Sequence, residues 1–170
     1  MIRSRLDTNS PPDLSKLGKT LQTGFQSIPT ILGGTLPDVQ STFIMVKPDG
    51  VKRRLVGEVV RRIEAKGYEI DEMKLFTIDE SLAKEHYQEH TDKPFFGELV
   101  SFITSGPVVA MVVKGPDAIV GMRQIMGAIN PLDAAPGSIR GDYATVITEN
   151  IVHGSDAPES AEREIKLFFG

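Results

Sequence analysis

Residues Val108-Val109-Ala110-Met111-Val112-Val113 form a nearly unbroken apolar run. It is too short to cross a bilayer, which takes about 20 apolar residues. It also lacks the alternation of a strand with one wet face, so it reads as a strand covered on both sides. The rest of the chain must supply the cover. Thr42–Val46 is a β-rich run ended by Pro48-Asp49-Gly50, a turn signature. Leu55, Val59 and Ile63 recur at helical spacing, and Gly67 ends that helix. Residues 68–78 read as a strand, 81–90, 95–103 and 117–126 as helices, 145–147 as a short strand and 160–169 as a last helix. The order β-α-β-(αα)-β-α-β-α predicts an α+β fold, a ferredoxin-like antiparallel sheet with helices packed on one face.

The chain of 170 residues matches one domain of about 100–200 residues. Its start reads differently from the rest. Pro11, Pro12, Pro29, Pro37 and the Gly33-Gly34 pair mark residues 1–40 as a poorly ordered arm or linker, leaving 41–170 as the domain. Asp7, Pro11, Pro12 and Asp13 interrupt the apolar segment that a signal peptide needs. With no targeting or spanning segment, the cytoplasm is the default location and no membrane partner is expected. Gly18-Lys19-Thr20 is not a phosphate loop, because that loop needs a glycine where Asp13 stands. Zero cysteines remove disulfides, thiolate metal sites and cysteine nucleophiles together. A net charge of −4 argues against nucleic acid as a partner. An acidic protein still binds phosphates if its few cations converge on one place.

His86 and His90 are four apart on a predicted helix, a spacing that can chelate a metal. The segment is polar and lacks an acidic ligand pattern, so it reads as a solvated helix face. His153 stands in Asn150-Ile151-Val152-His153-Gly154-Ser155-Asp156, just after a predicted strand and before a predicted helix. A neutral imidazole attacks phosphorus well near pH 7, since its reference pKa is about 6.5. Taken alone, such a histidine is more often a structural hydrogen-bonding group, so its company decides. Lys47, Arg123 and Arg140 each read singly as surface charges, but together they could surround a polyphosphate.

Six segments carry a stronger signal: residues 43–51 (FIMVKPDGV), 85–87 (EHY), 93–96 (KPFF), 105–111 (SGPVVAM), 139–142 (IRGD) and 150–156 (NIVHGSD). In this order and spacing the chain closely resembles the nucleoside diphosphate kinase family from about Thr42 to Phe168. Members of that family pass phosphate from a nucleoside triphosphate to a nucleoside diphosphate through a phosphohistidine, with Mg2+ on the nucleotide. The resemblance implies His153 as nucleophile, with Glu164 fixing its tautomer and Ser155 bridging. It implies Lys47 and Tyr87 at the transferred group, Arg123 and Arg140 on the other phosphates, Asn150 on the ribose 3′-hydroxyl and Phe95 stacked on the base. The partners implied are nucleoside tri- and diphosphates and further copies of the chain. A weakened member, acting mainly by binding nucleotide or a partner protein, is the alternative.

Two departures motivate that alternative. The chain stops at Phe168-Phe169-Gly170, where the family continues with an aromatic-containing tail that packs on neighbouring subunits. The usual tetramer or hexamer is therefore open. Leu21–Leu32 either covers the surface left bare or has no role. Ile129 also stands where the family has a threonine that contacts the nucleotide phosphates. Losing a hydrogen bond to a charged group costs about 1.5–3 kcal/mol. Ile129→Thr is accordingly expected to raise affinity for a nucleoside diphosphate in equilibrium titration; a gain below about twofold contradicts this reading.

Overall fold

A computed structural model describes residues 38–170. The expectations for the arm, including Leu21–Leu32, lie outside the described residues. The fold is built on β1 (Val39–Val46) and β3 (Pro107–Pro116), paired antiparallel with Ile44 opposite Met111. Strand β2 (Glu69–Thr77) adds to β3, and β4 (Val152–Gly154) adds to β1. The sheet order is β2-β3-β1-β4 and each neighbouring pair is antiparallel, giving the predicted ferredoxin-like α+β arrangement.

The central strands are buried on both sides, as their unbroken apolar runs demand. On one face Ile44, Val46, Val109, Met111 and Val113 join Val59 and Ile63 of α2 (Val56–Ala65) and Met122 and Met126 of α5 (Ala118–Met126). On the other, Phe43, Met45, Val108 and Ala110 join Ala83 of α3 (Glu80–His86), Val100 and Ile103 of α4 (Phe96–Ile103) and Phe168 of α7 (Pro158–Phe169). Helices thus cover both faces, which corrects the expectation of one. Each large core side chain contributes about 1.5–3 kcal/mol by leaving water, so neither face could remain bare.

Three local expectations change. Pro48-Asp49-Gly50 does not form a free turn but opens a short helix, α1 (Pro48–Lys52), with proline in the first turn where its missing N–H is not needed. The helix read over 81–90 ends at His86 and continues as a 3-10 turn, Gln88–His90. Residues 145–147 are not a strand. Val146 and Ile147 are exposed, and the free edge of β1 is taken by β4 instead. His153 therefore lies within a strand, paired with Met45, rather than after one.

Between α5 and the strand expected at 145–147 the sequence predicts no element, yet α6 (Ile139–Tyr143) forms there. Its N-cap is Ser138, whose Oγ accepts the Gly141 N–H at 3.1 Å. A Cβ on Gly141 would lie 2.1 Å from the carbonyl oxygen of Ala135, so only glycine seats this helix against the preceding loop. Gly141→Ala is expected to destabilise the fold by about 1–3 kcal/mol, read as a lower midpoint in denaturant unfolding; an unmoved midpoint contradicts this packing.

Candidate active site

Glu164, on the inward face of α7, is 3% exposed. A carboxylate there stays ionised only if it is paired. Its Oε1 lies 2.7 Å from His153 Nε2 on β4, and its Oε2 accepts the Ser155 hydroxyl at 2.5 Å. Burial opposes ionisation, but the hydrogen bond and charge of His153, with Ser155 adding, hold the carboxyl below its ordinary range. An ionised carboxylate is acceptor only, so Nε2 must carry a proton, and in the neutral imidazole Nδ1 then keeps its lone pair. Ser155 does not stand between the two groups, as bridging would require. It fixes the far oxygen of the carboxylate.

The cations converge. Arg140 on α6 is 4% exposed, donating to the Gly127 carbonyl at 2.7 Å and the Val152 carbonyl at 2.8 Å. Burial, and then the nearby Arg123, lower its pKa to about 10. Lys47, just past β1, is buried as well. Its ammonium donates to the Thr148 carbonyl at 3.2 Å and sits 4.9 Å from the centre of the Phe102 ring. Burial brings Lys47 down to about 8; Arg140 pushes the same way, while Asp49 and Glu149 oppose. Arg123 on α5 is half-buried and acts on Arg140 rather than on a carboxylate. Desolvated cations with no carboxylate partner among the described residues suit an anion that arrives from solution.

The remaining predicted residues sit on the surrounding loops. Asn150 is buried and donates to the Ile129 backbone carbonyl at 2.8 Å, while the Ile129 side chain is 53% exposed. Tyr87 follows α3. Burial, then Glu164, push its hydroxyl up to about 12, so it remains a donor at neutral pH. Phe95, 44% exposed at the start of α4, is linked to His153 by a series of rings. His90 is 5.9 Å from Phe95, Tyr87 6.4 Å from His90, His86 4.5 Å from Tyr87, and His153 4.7 Å from His86.

His86 corrects the sequence reading most. It is buried beside the site, not solvated, with Nδ1 3.6 Å from Glu164 Oε1. Burial, then the neighbouring His153, drop its pKa to about 3, so it stays neutral. Ala83 three positions earlier lies on the same helix face as His86 and is in the core, a spacing that could have found it. His86, His153 and Glu164 offer ligand atoms within 4.8 Å of one another. Two nitrogens and a direct His153–Glu164 hydrogen bond do not suit Mg2+, which takes oxygen ligands, phosphates among them.

A family model described as nucleoside diphosphate kinase matches residues 40–170. The chain belongs to the nucleoside diphosphate kinase family. It is 60% identical over 131 residues to a nucleoside diphosphate kinase of Brevibacillus brevis, an alignment covering 77% of this chain and 89% of that one. The Thermus thermophilus relative is 57% identical over 131 residues, covering 77% and 96%. A solved structure of the Halobacterium salinarum nucleoside diphosphate kinase in complex with CDP superposes with a TM-score of 0.76 at 57% identity, covering 78% of this chain and 88% of that one.

Within this kinase-family domain, the histidine–carboxylate pair is the feature most exposed to test. Glu164→Gln keeps an acceptor for Nε2–H but removes the charge. A hydrogen bond to a charged group is worth about 1.5–3 kcal/mol, so phosphate transfer between nucleotides should slow about 10- to 100-fold in turnover measurements. An unchanged rate contradicts the pairing.

Proposed function

We propose that this phosphotransferase moves the terminal phosphate of a nucleoside triphosphate to a nucleoside diphosphate through a phosphohistidine at His153. The observation that carries the proposal is the 2.7 Å contact between His153 Nε2 and buried Glu164. It leaves Nδ1 as the only ring nitrogen with a free lone pair. In the first half-reaction, Nδ1 attacks the γ-phosphorus. The N–P bond forms as the bond to the β,γ-bridging oxygen breaks, and nucleoside diphosphate departs. In the second, a terminal oxygen of another nucleoside diphosphate attacks that phosphorus and the N–P bond breaks, restoring the imidazole. Splitting the transfer lets one site serve both nucleotides in turn.

Phosphoryl transfer asks chiefly for alignment and charge stabilisation. Lys47 and the Tyr87 hydroxyl face the transferred group, while Arg140 and Arg123 hold the phosphates beyond it. Asn150 takes the ribose 3′-hydroxyl. Phe95 offers its exposed ring to the base, a contact worth about 1–3 kcal/mol that tolerates any base. Mg2+ enters bound to the nucleotide phosphates, whose charge it partly neutralises. Exposed Met73 and Leu75 on edge strand β2 support association into a homo-oligomer. A cytoplasmic site of action accords with the zero cysteine count, and among the described residues no helix is long and apolar enough to cross a membrane.

Incubation with terminally labelled ATP and no acceptor is expected to give an acid-labile, alkali-stable label that discharges onto added nucleoside diphosphate and is absent in His153→Ala. Nucleotide binding without label would favour the weakened, binding-only alternative. A second outcome concerns pH. Lys47 loses its charge as pH rises through about 8, so kcat/KM should fall on that side, and Lys47→Arg should abolish this limb. A wild-type profile flat to pH values well above that range contradicts the role of Lys47.

A further inference from the structure

Ile151 is the most strained residue near the site. Its φ is +72°, a region that β-branched residues rarely enter, and its side chain is fully buried. The Val152 N–H donates to the Asn150 carbonyl at 2.8 Å across it, which makes Ile151 the centre of a γ-turn of the rare, strained hand. Such a turn persists only where its surroundings fix it. Here the fixing comes from the start of α1. The Ile151 N–H donates to Asp49 Oδ2 at 2.9 Å, and the Ile151 carbonyl accepts the Lys47 N–H at 2.8 Å. Gly50 permits the approach, since a Cβ there would lie 3.0 Å from the Ile151 carbonyl oxygen and 2.7 Å from Val46 Cγ1.

The residues on either side of this turn hold the site. Asn150 precedes it and ties down the Ile129 loop; the Val152 carbonyl accepts Arg140, and His153 comes next. We infer that Asp49 is a positioning residue for phosphoryl transfer: its carboxylate oxygen holds the Ile151 γ-turn and so sets the relative register of Asn150, Arg140 and His153. The Asp49 charge also raises the Lys47 pKa, but the positioning role rests on a hydrogen-bond acceptor at a fixed place. Its other oxygen, Oδ1, is buried without a hydrogen-bond partner among the described residues, where the Ile151 amide is the bond this side chain makes.

Two substitutions in the full chain separate acceptor position from charge, a test that rests on the phosphohistidine reading. Asp49→Glu keeps the charge and displaces the acceptor. It should slow label formation at saturating ATP by about 10- to 100-fold and speed hydrogen exchange of the Ile151 amide. Asp49→Asn keeps an acceptor and loses the charge. On the plateau below the alkaline limb it should slow labelling by no more than about threefold, while the limb itself moves to lower pH as Lys47 loses a neighbouring negative charge. Asp49→Asn as slow as Asp49→Glu, or Asp49→Glu within about threefold of wild type, overturns the inference. If Asp49→Glu does not fold, Asp49→Asn decides alone by the same threshold and by protection of the Ile151 amide. Absence of label in the wild type would refute the phosphohistidine instead, and amide exchange would still read the Asp49 bond.

Discussion

A carboxylate almost wholly removed from water must be paired, and Glu164 is paired on both oxygens. A hydrogen bond to a buried charged group is worth about 1.5–3 kcal/mol, so the imidazole, the hydroxyl and the carboxylate form one unit. That unit joins β4 to α7 and decides which histidine nitrogen is free. The wider fold serves it. The continuous apolar runs of β1 and β3 require helices on both faces, and α7 is one of those helices. The same burial that closes the core brings Glu164 against His153.

The cations follow the same physics with the opposite sign. Among the described residues no carboxylate is bonded to the desolvated Lys47 and Arg140, and burial lowers both pKa values toward neutrality. Such groups gain most from a polyphosphate that enters and supplies the missing negative charge. An overall acidic chain can therefore hold a strongly anion-seeking site, because local placement outweighs net charge. The carbonyls of Thr148, Gly127 and Val152 orient these cations without neutralising them.

The sequence made the sheet, most helices and the site's composition legible for definite reasons. Unbroken apolar runs and helical spacing are local signals, and six short segments in family order name the chemistry. What it hid was non-local. The strand expected at 145–147 competes for the β1 edge with 152–154, and no local preference reveals which one pairs with Met45. Helix α6 depends on a Ser138 cap and on the space beside Gly141, neither visible as periodicity. His86 looked solvated because its helix is polar, yet its face turns onto Phe43 and His153. The left-handed Ile151 is hidden for the same reason, since the Asp49 that holds it lies 102 positions away.

Glu164 commits Nε2 of His153 and leaves the Nδ1 lone pair open to an incoming phosphorus. Nitrogen-15 NMR of the phosphorylated protein, labelled at histidine and kept alkaline, reads which ring nitrogen carries phosphorus. Phosphate on Nδ1 of His153 is the expected result. Phosphate on Nε2, or on the imidazole of His86, would contradict it.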